Sequence, residues 1–221
     1  MAFRLRDNLH WCISSGRVIF LDVEADRYFC LPSRAEAAFL RVAYGEIDPE
    51  AAEDLQPLIG RGLLIEDQLS SGIRPKQSVE PASGDLPLEA GRRPNAIELA
   101  RAFASELAIG RLLRKRSFAQ VLDGIVAHPA KGAAPVHVDA TLRGIVSASV
   151  AISLVLRAAD RCLVRAIAVH AACRRRGINP KLMFGVRMNP FGAHCWVQLG
   201  STVLVGEFEQ VRLYTPIMVL G

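Results

Sequence analysis

The chain has 221 residues, 51% of them hydrophobic, and a net charge of +5. That is enough for one large domain or two small ones with a sizeable core. The start, MAFRLRDNLHW, is charged without an apolar run, and residues 144–156 (GIVSASVAISLVL) fall short of the roughly 20 residues of a membrane span, so neither a signal peptide nor a span is expected.

Along the chain, residues 10–14 and 17–23 flank the turn Ser15-Gly16 and read as a β-hairpin, with 26–31 (DRYFCL) as a third strand. Ser33, with Glu36 three positions later, forms a capping box for a helix over about 34–44. A second helix starts at Asp48-Pro49 and reaches about residue 59, and 60–67 closes with a short strand. This is a small winged-helix-like unit, 1–70. Residues 71–96 are dense in Pro, Gly and Ser and read as a linker.

The second unit, 97–221, begins with a helix over 96–116, whose apolar residues recur close to a 3.6 period. Helices follow over about 118–127, 142–156 and 161–175, the last capped by Asp160 and stopped at Gly177. Strands come next at 181–187, 194–199 and 202–205. Helices followed by a short antiparallel sheet give an α+β order. Charge is uneven: residues 1–96 carry 11 basic and 15 acidic side chains, a net −4, and residues 97–221 carry 16 and 7, a net +9. Two units with different partners fit that asymmetry.

Five cysteines (12, 30, 162, 173 and 195), an odd number without a CxxC pair, fit a reducing, cytoplasmic setting and argue against a disulfide framework or structural zinc. Cys162 stands at the start of a helix, where unpaired amides and the helix dipole favour a thiolate. His194 opens a later strand. A cysteine on a helix start followed by a histidine on a strand suits acyl transfer, because the imidazole first orients the thiolate and then protonates the leaving amine. Cys195 points to the opposite strand face from His194 and is expected to lie outside the site. Trp196 shares the face of His194 and walls it. Cys162 and Cys173 are separated by about 16 Å along their helix, so no metal site is expected. The other cysteines read as buried core residues.

Residues 160–221 resemble the C-terminal region of lasso peptide biosynthesis B proteins, the leader peptidases of lasso peptide maturation. The stretches that carry the likeness are RCLVRAIAVHAACRRRGI (161–178), LMFGVRMNPFGAHCWVQLGSTVLVGE (182–207) and YTPI (214–217). Residues 14–67, through VIFLDVEADRYFCLP, resemble the PqqD-like peptide-recognition element that precedes the peptidase in such proteins. The resemblance implies a transglutaminase-like, papain-like cysteine peptidase with Cys162 as nucleophile and His194 as base. The family carries an acid, commonly as Asn-Asp, where this chain has Val205-Gly206-Glu207. Glu207 is the substitute, and a backbone carbonyl is the alternative orienting group.

The resemblance further implies that the first unit captures a precursor's leader by strand addition, with Arg27, Tyr28, Phe29, Cys30 and Leu31 at the edge strand. An ATP-dependent, asparagine-synthetase-like lasso cyclase is the implied partner. No GxxxxGK[ST] occurs here, and no cofactor is implied. Two other readings are a non-catalytic peptide-binding scaffold and a winged-helix nucleic-acid-binding protein. Against the second, residues 1–96 are net acidic and the charged side chains of 48–60 (DPEAAEDLQPLIG) are all acidic, the wrong sign for phosphates.

Overall fold

Apolar alternation over residues 9–30 folds into a three-stranded antiparallel sheet, β2 (Leu9–Ser14), β3 (Arg17–Asp22) and β4 (Arg27–Cys30). The computed structural model describes residues 3–46, 49–67, 73, 79–88, 94–127, 138–156 and 161–221. They divide into two units, 1–77 and 78–221. In the first, Trp11 and Phe20 each meet Phe39 edge-on, at 5.0 and 4.9 Å between ring centres, and form the middle of the core. Phe39 belongs to α1 (Ser33–Ala43).

The expected capping box does not form. Pro32 is the N-cap, without a side-chain cap, and Glu36 turns to the sheet. Its carboxylate accepts from the Val18 amide at 2.7 Å and from Arg17 Nε at 2.8 Å. Glu36 is buried, and a buried carboxylate needs strong donors. The helix expected over 48–59 is two short ones, α2 (Pro49–Asp54) and α3 (Gln56–Ile59), broken at Leu55. Pro57 lacks an amide hydrogen and its ring crowds the carbonyl four residues back, which ends the first piece. The closing strand forms as β5 (Leu64–Glu66) and pairs with β1 (Phe3–Leu5), a strand that the residue pattern does not announce.

In the second unit Asn95 caps α4 (Ala96–Lys115), its side chain accepting from the Ile97 amide at 2.9 Å. Then come α5 (Phe118–Ala127), α6 (Val138–Val155) and α7 (Cys162–Arg174). By length and composition α6 is apolar enough to cross a membrane, with a mean hydropathy of 1.5. One stripe of it, including Leu142, Ile145, Val146 and Ile152, is buried, and the helix packs against α4 and α7. Asp160, expected to cap α7, lies outside the described residues.

The sheet of this unit has five strands in the order β10-β7-β8-β9-β6: β7 (Lys181–Arg187), β8 (Gly192–Leu199), β9 (Thr202–Val205), β10 (Thr215–Leu220) and β6 (Gly84–Asp85). Four run antiparallel, and β6 joins β9 in parallel. The short helix α8 (Phe208–Val211) links β9 to β10. Part of the stretch expected to be a linker is therefore sheet. Residues 79–88 belong to the second unit, with Val79 and Ala82 packed on a cluster of Met183, Trp196, Val203 and Val211.

Candidate active site

Strand alternation sends His194, Trp196 and Gln198 to one face of β8 and Cys195 and Val197 to the other. The His194 ring is half-buried between two aromatics. Trp196 lies nearly parallel to it, with centroids 6.2 Å apart and planes at 17°, and Tyr214 stands at 5.2 Å. The Arg187 guanidinium sits 5.3 Å from the centre of the Tyr214 ring, a cation–π contact that steadies that wall.

Two glycines make the packing possible. Gly185 pairs with His194 across the ladder, and a Cβ there would lie 2.7 Å from the Trp196 ring. At Gly206 a Cβ would lie 2.5 Å from Trp196 Cβ and 3.4 Å from His194 Nε2, and the backbone there has φ +126°. Gln198 fixes the indole from below. Its Oε1 accepts from Trp196 Nε1 at 3.2 Å, and its Nε2 donates to the carbonyls of Glu80 and Gly200, each at 2.7 Å.

Burial holds the His194 pKa below its ordinary value, while hydrogen bonding with the Gly206 backbone and the charge of Glu207 oppose that shift. Nε2 is buried without a hydrogen-bond partner. It lies on the Gly206 side of the ring, 3.4 Å from where a Cβ on that residue would stand. Glu207 adopts φ +60° at the start of α8 and makes no side-chain cap. The cap comes from Asp85, whose Oδ1 accepts from the Phe208 amide at 2.8 Å. The Glu207 carboxylate is thus exposed and not consumed by its own helix.

Cys162 is the first residue of α7 and is half-buried. The helix packs on β8. Burial pushes the Cys195 thiol well above its ordinary pKa, and the nearby Cys162 adds to the shift. By alternation Cys195 leaves β8 on the face opposite His194 and Trp196, and it is buried there. The structure thus brings His194, Trp196 and Glu207 together and packs the helix that opens on Cys162 against β8. Among the described residues, no group of three or more His, Cys, Asp or Glu is placed to hold a metal ion.

Of the five first-unit residues expected to meet a peptide, Arg27 and Cys30 are exposed and Tyr28 is half-buried. Phe29 stacks on Phe20 at 5.0 Å, with Arg27 over its ring, and Leu31 is buried in the core. Among the described strands β4 pairs with β3 alone, at the end of its sheet.

Several residues of this neighbourhood carried no signal in the residue pattern: Glu80 and Asp85 sit in the Pro/Gly-rich stretch, and their roles are backbone and capping contacts. Glu106 could have been found, because it falls within the apolar stripe of α4, three residues after Phe103 and three before Ile109. It is buried and pairs with Arg161 and Arg165 of the α7 region.

A family model described as Transglutaminase-like superfamily matches residues 106–219, just over half of the chain and about four fifths of the second unit. No curated protein and no solved structure matches.

Proposed function

Since the chain belongs to the transglutaminase-like superfamily, we propose that it is a cysteine peptidase that removes the leader from a lasso precursor peptide. The observation that carries this reading is that α7, which opens on Cys162, packs on β8, the strand of His194, whose ring is walled by Trp196 and Tyr214.

In this reading His194 takes the Cys162 proton, and the thiolate attacks the leader–core carbonyl. The tetrahedral intermediate collapses as the imidazolium protonates the departing amine, which becomes the N-terminus of the core. A thioester to the leader remains. Water, deprotonated by the same imidazole, hydrolyses it to a carboxylate and restores the thiol. Glu207 and the Gly206 backbone favour the imidazolium in both halves of the cycle. The first unit captures the leader along the outer edge of β4 through main-chain hydrogen bonds, with Arg27, Tyr28 and Cys30 flanking it. An asparagine-synthetase-like cyclase then uses the freed amine, supplying the ATP-dependent step, and the setting is cytoplasmic.

Cys162→Ala tests the assignment. The purified full chain carrying it should cleave no leader while binding a fluorescent leader peptide within twofold of the native affinity. Cleavage at the native rate would reject Cys162 as the nucleophile.

A further inference from the structure

Among the described residues, no side chain caps the helix that presents Cys162. Arg161 is its N-cap, with no side-chain cap bond, and the first turn of α7 holds no acidic residue. Amides at such an end have no intrahelical partner, and the end frays unless something fixes it. What fixes it here comes from another helix. Arg161 Nη1 lies 3.5 Å from Glu106 Oε2 and Arg165 Nε lies 3.3 Å from Glu106 Oε1. Glu106 is the one buried side chain of α4, at 2% exposure. Arg161 and Arg165 are four residues apart and so project from one side of the helix, a turn apart. Each takes a different oxygen of one carboxylate. Sliding or rotating α7 breaks one contact or the other.

From this geometry we infer that Glu106 is a positioning residue for Cys162. It grips the residue just before the thiol and another one turn on, and so sets the height and rotation of the helix mouth. Building on the peptidase reading, the clamp fixes where the sulfur meets a bound carbonyl. Net stability is a poor explanation for it, because apolar side chains of similar volume often stabilise as well as a buried ion pair does. Position is a better one: a misplacement of about 1 Å costs on the order of 100-fold in rate.

The test is Glu106→Gln in the full chain, read in two ways. Hydrogen exchange at the amides of Arg165–Ala168, which close onto the carbonyls of the first turn, should quicken at least tenfold, with those at the far end of α7 unchanged. Leader cleavage should lose 10- to 100-fold in kcat, with KM and leader affinity within twofold, and Glu106→Asp should recover part of the loss. Native exchange in the first turn together with native kcat overturns the clamp. If the Gln variant fails to fold, Arg161→Met and Arg165→Met remove the contacts from the other side. A kcat loss in each supports the clamp, and native kcat in both overturns it. Hydrogen exchange does not depend on peptidase activity. If Cys162→Ala still cleaves leader, the functional reading falls while the exchange result decides the clamp by itself.

Discussion

Gly206 lies so close to Trp196 that a side chain between them has no room: a Cβ on residue 206 would approach Trp196 Cβ to 2.5 Å. The same backbone has φ +126°, a region that L-residues rarely adopt, and it faces the His194 ring. One position thus serves the packing of the indole and the holding of the imidazole.

Gly206→Ala should therefore cost about 3 kcal/mol from strain and overpacking together, read as a lowered denaturation midpoint. Leader cleavage should fall more steeply than stability accounts for, because the turn that carries Glu207 moves with residue 206. A variant with native stability and native turnover would show that the turn does not position the ring.

Glu207→Gln separates two ways of orienting His194. The carboxylate raises the pKa of the imidazole against the effect of burial. Removing its charge should lower that pKa, so the alkaline limb of the pH–rate profile moves to lower pH and turnover near neutral pH declines. A profile and rate like those of the native chain would leave the Gly206 backbone as the sole orienting group.

His170 gives a pH effect on stability that is independent of catalysis. It is fully buried on α7 with both ring nitrogens unsatisfied, and burial, aided by Arg174 and partly offset by the Pro180 backbone, brings its pKa from 6.5 to about 4. Between those values the unfolded chain binds a proton that the folded chain refuses. Stability is thus full above pH 6.5 and declines as the pH falls toward 4, by up to about 1.4 kcal/mol per pH unit. In His170→Leu the urea midpoint should vary less over that window. An unaltered slope would mean that other groups govern the acid response.

How far the residues announce this molecule depends on where each element finds its partners. The boundaries of α5, β7 and β9 follow directly from apolar runs between turn residues, and α4 ends within a residue of the periodic pattern. Elements whose stability is tertiary escape such reading. The dipeptide of β6 has no pattern of its own and exists because β9 offers it an edge. Glu36 has the spacing of a capping box, but β3 supplied a better donor in the Val18 amide. The site was legible in its residue types, because the sequence singled out His194, Trp196 and Glu207 and the structure gathers them. Glu106 was passed over because its partners lie 55 and 59 residues away.

The family match begins at residue 106, yet the folded body begins earlier. A fragment trimmed to the matched segment would leave β9 with a bare rim, strip the Gln198 amide of its Glu80 acceptor and uncap α8 at Phe208. Such a rim is an invitation to sticky association between molecules. Anyone isolating the second unit should therefore cut before Val79, because the ribbon that looks dispensable by composition is its outermost stave.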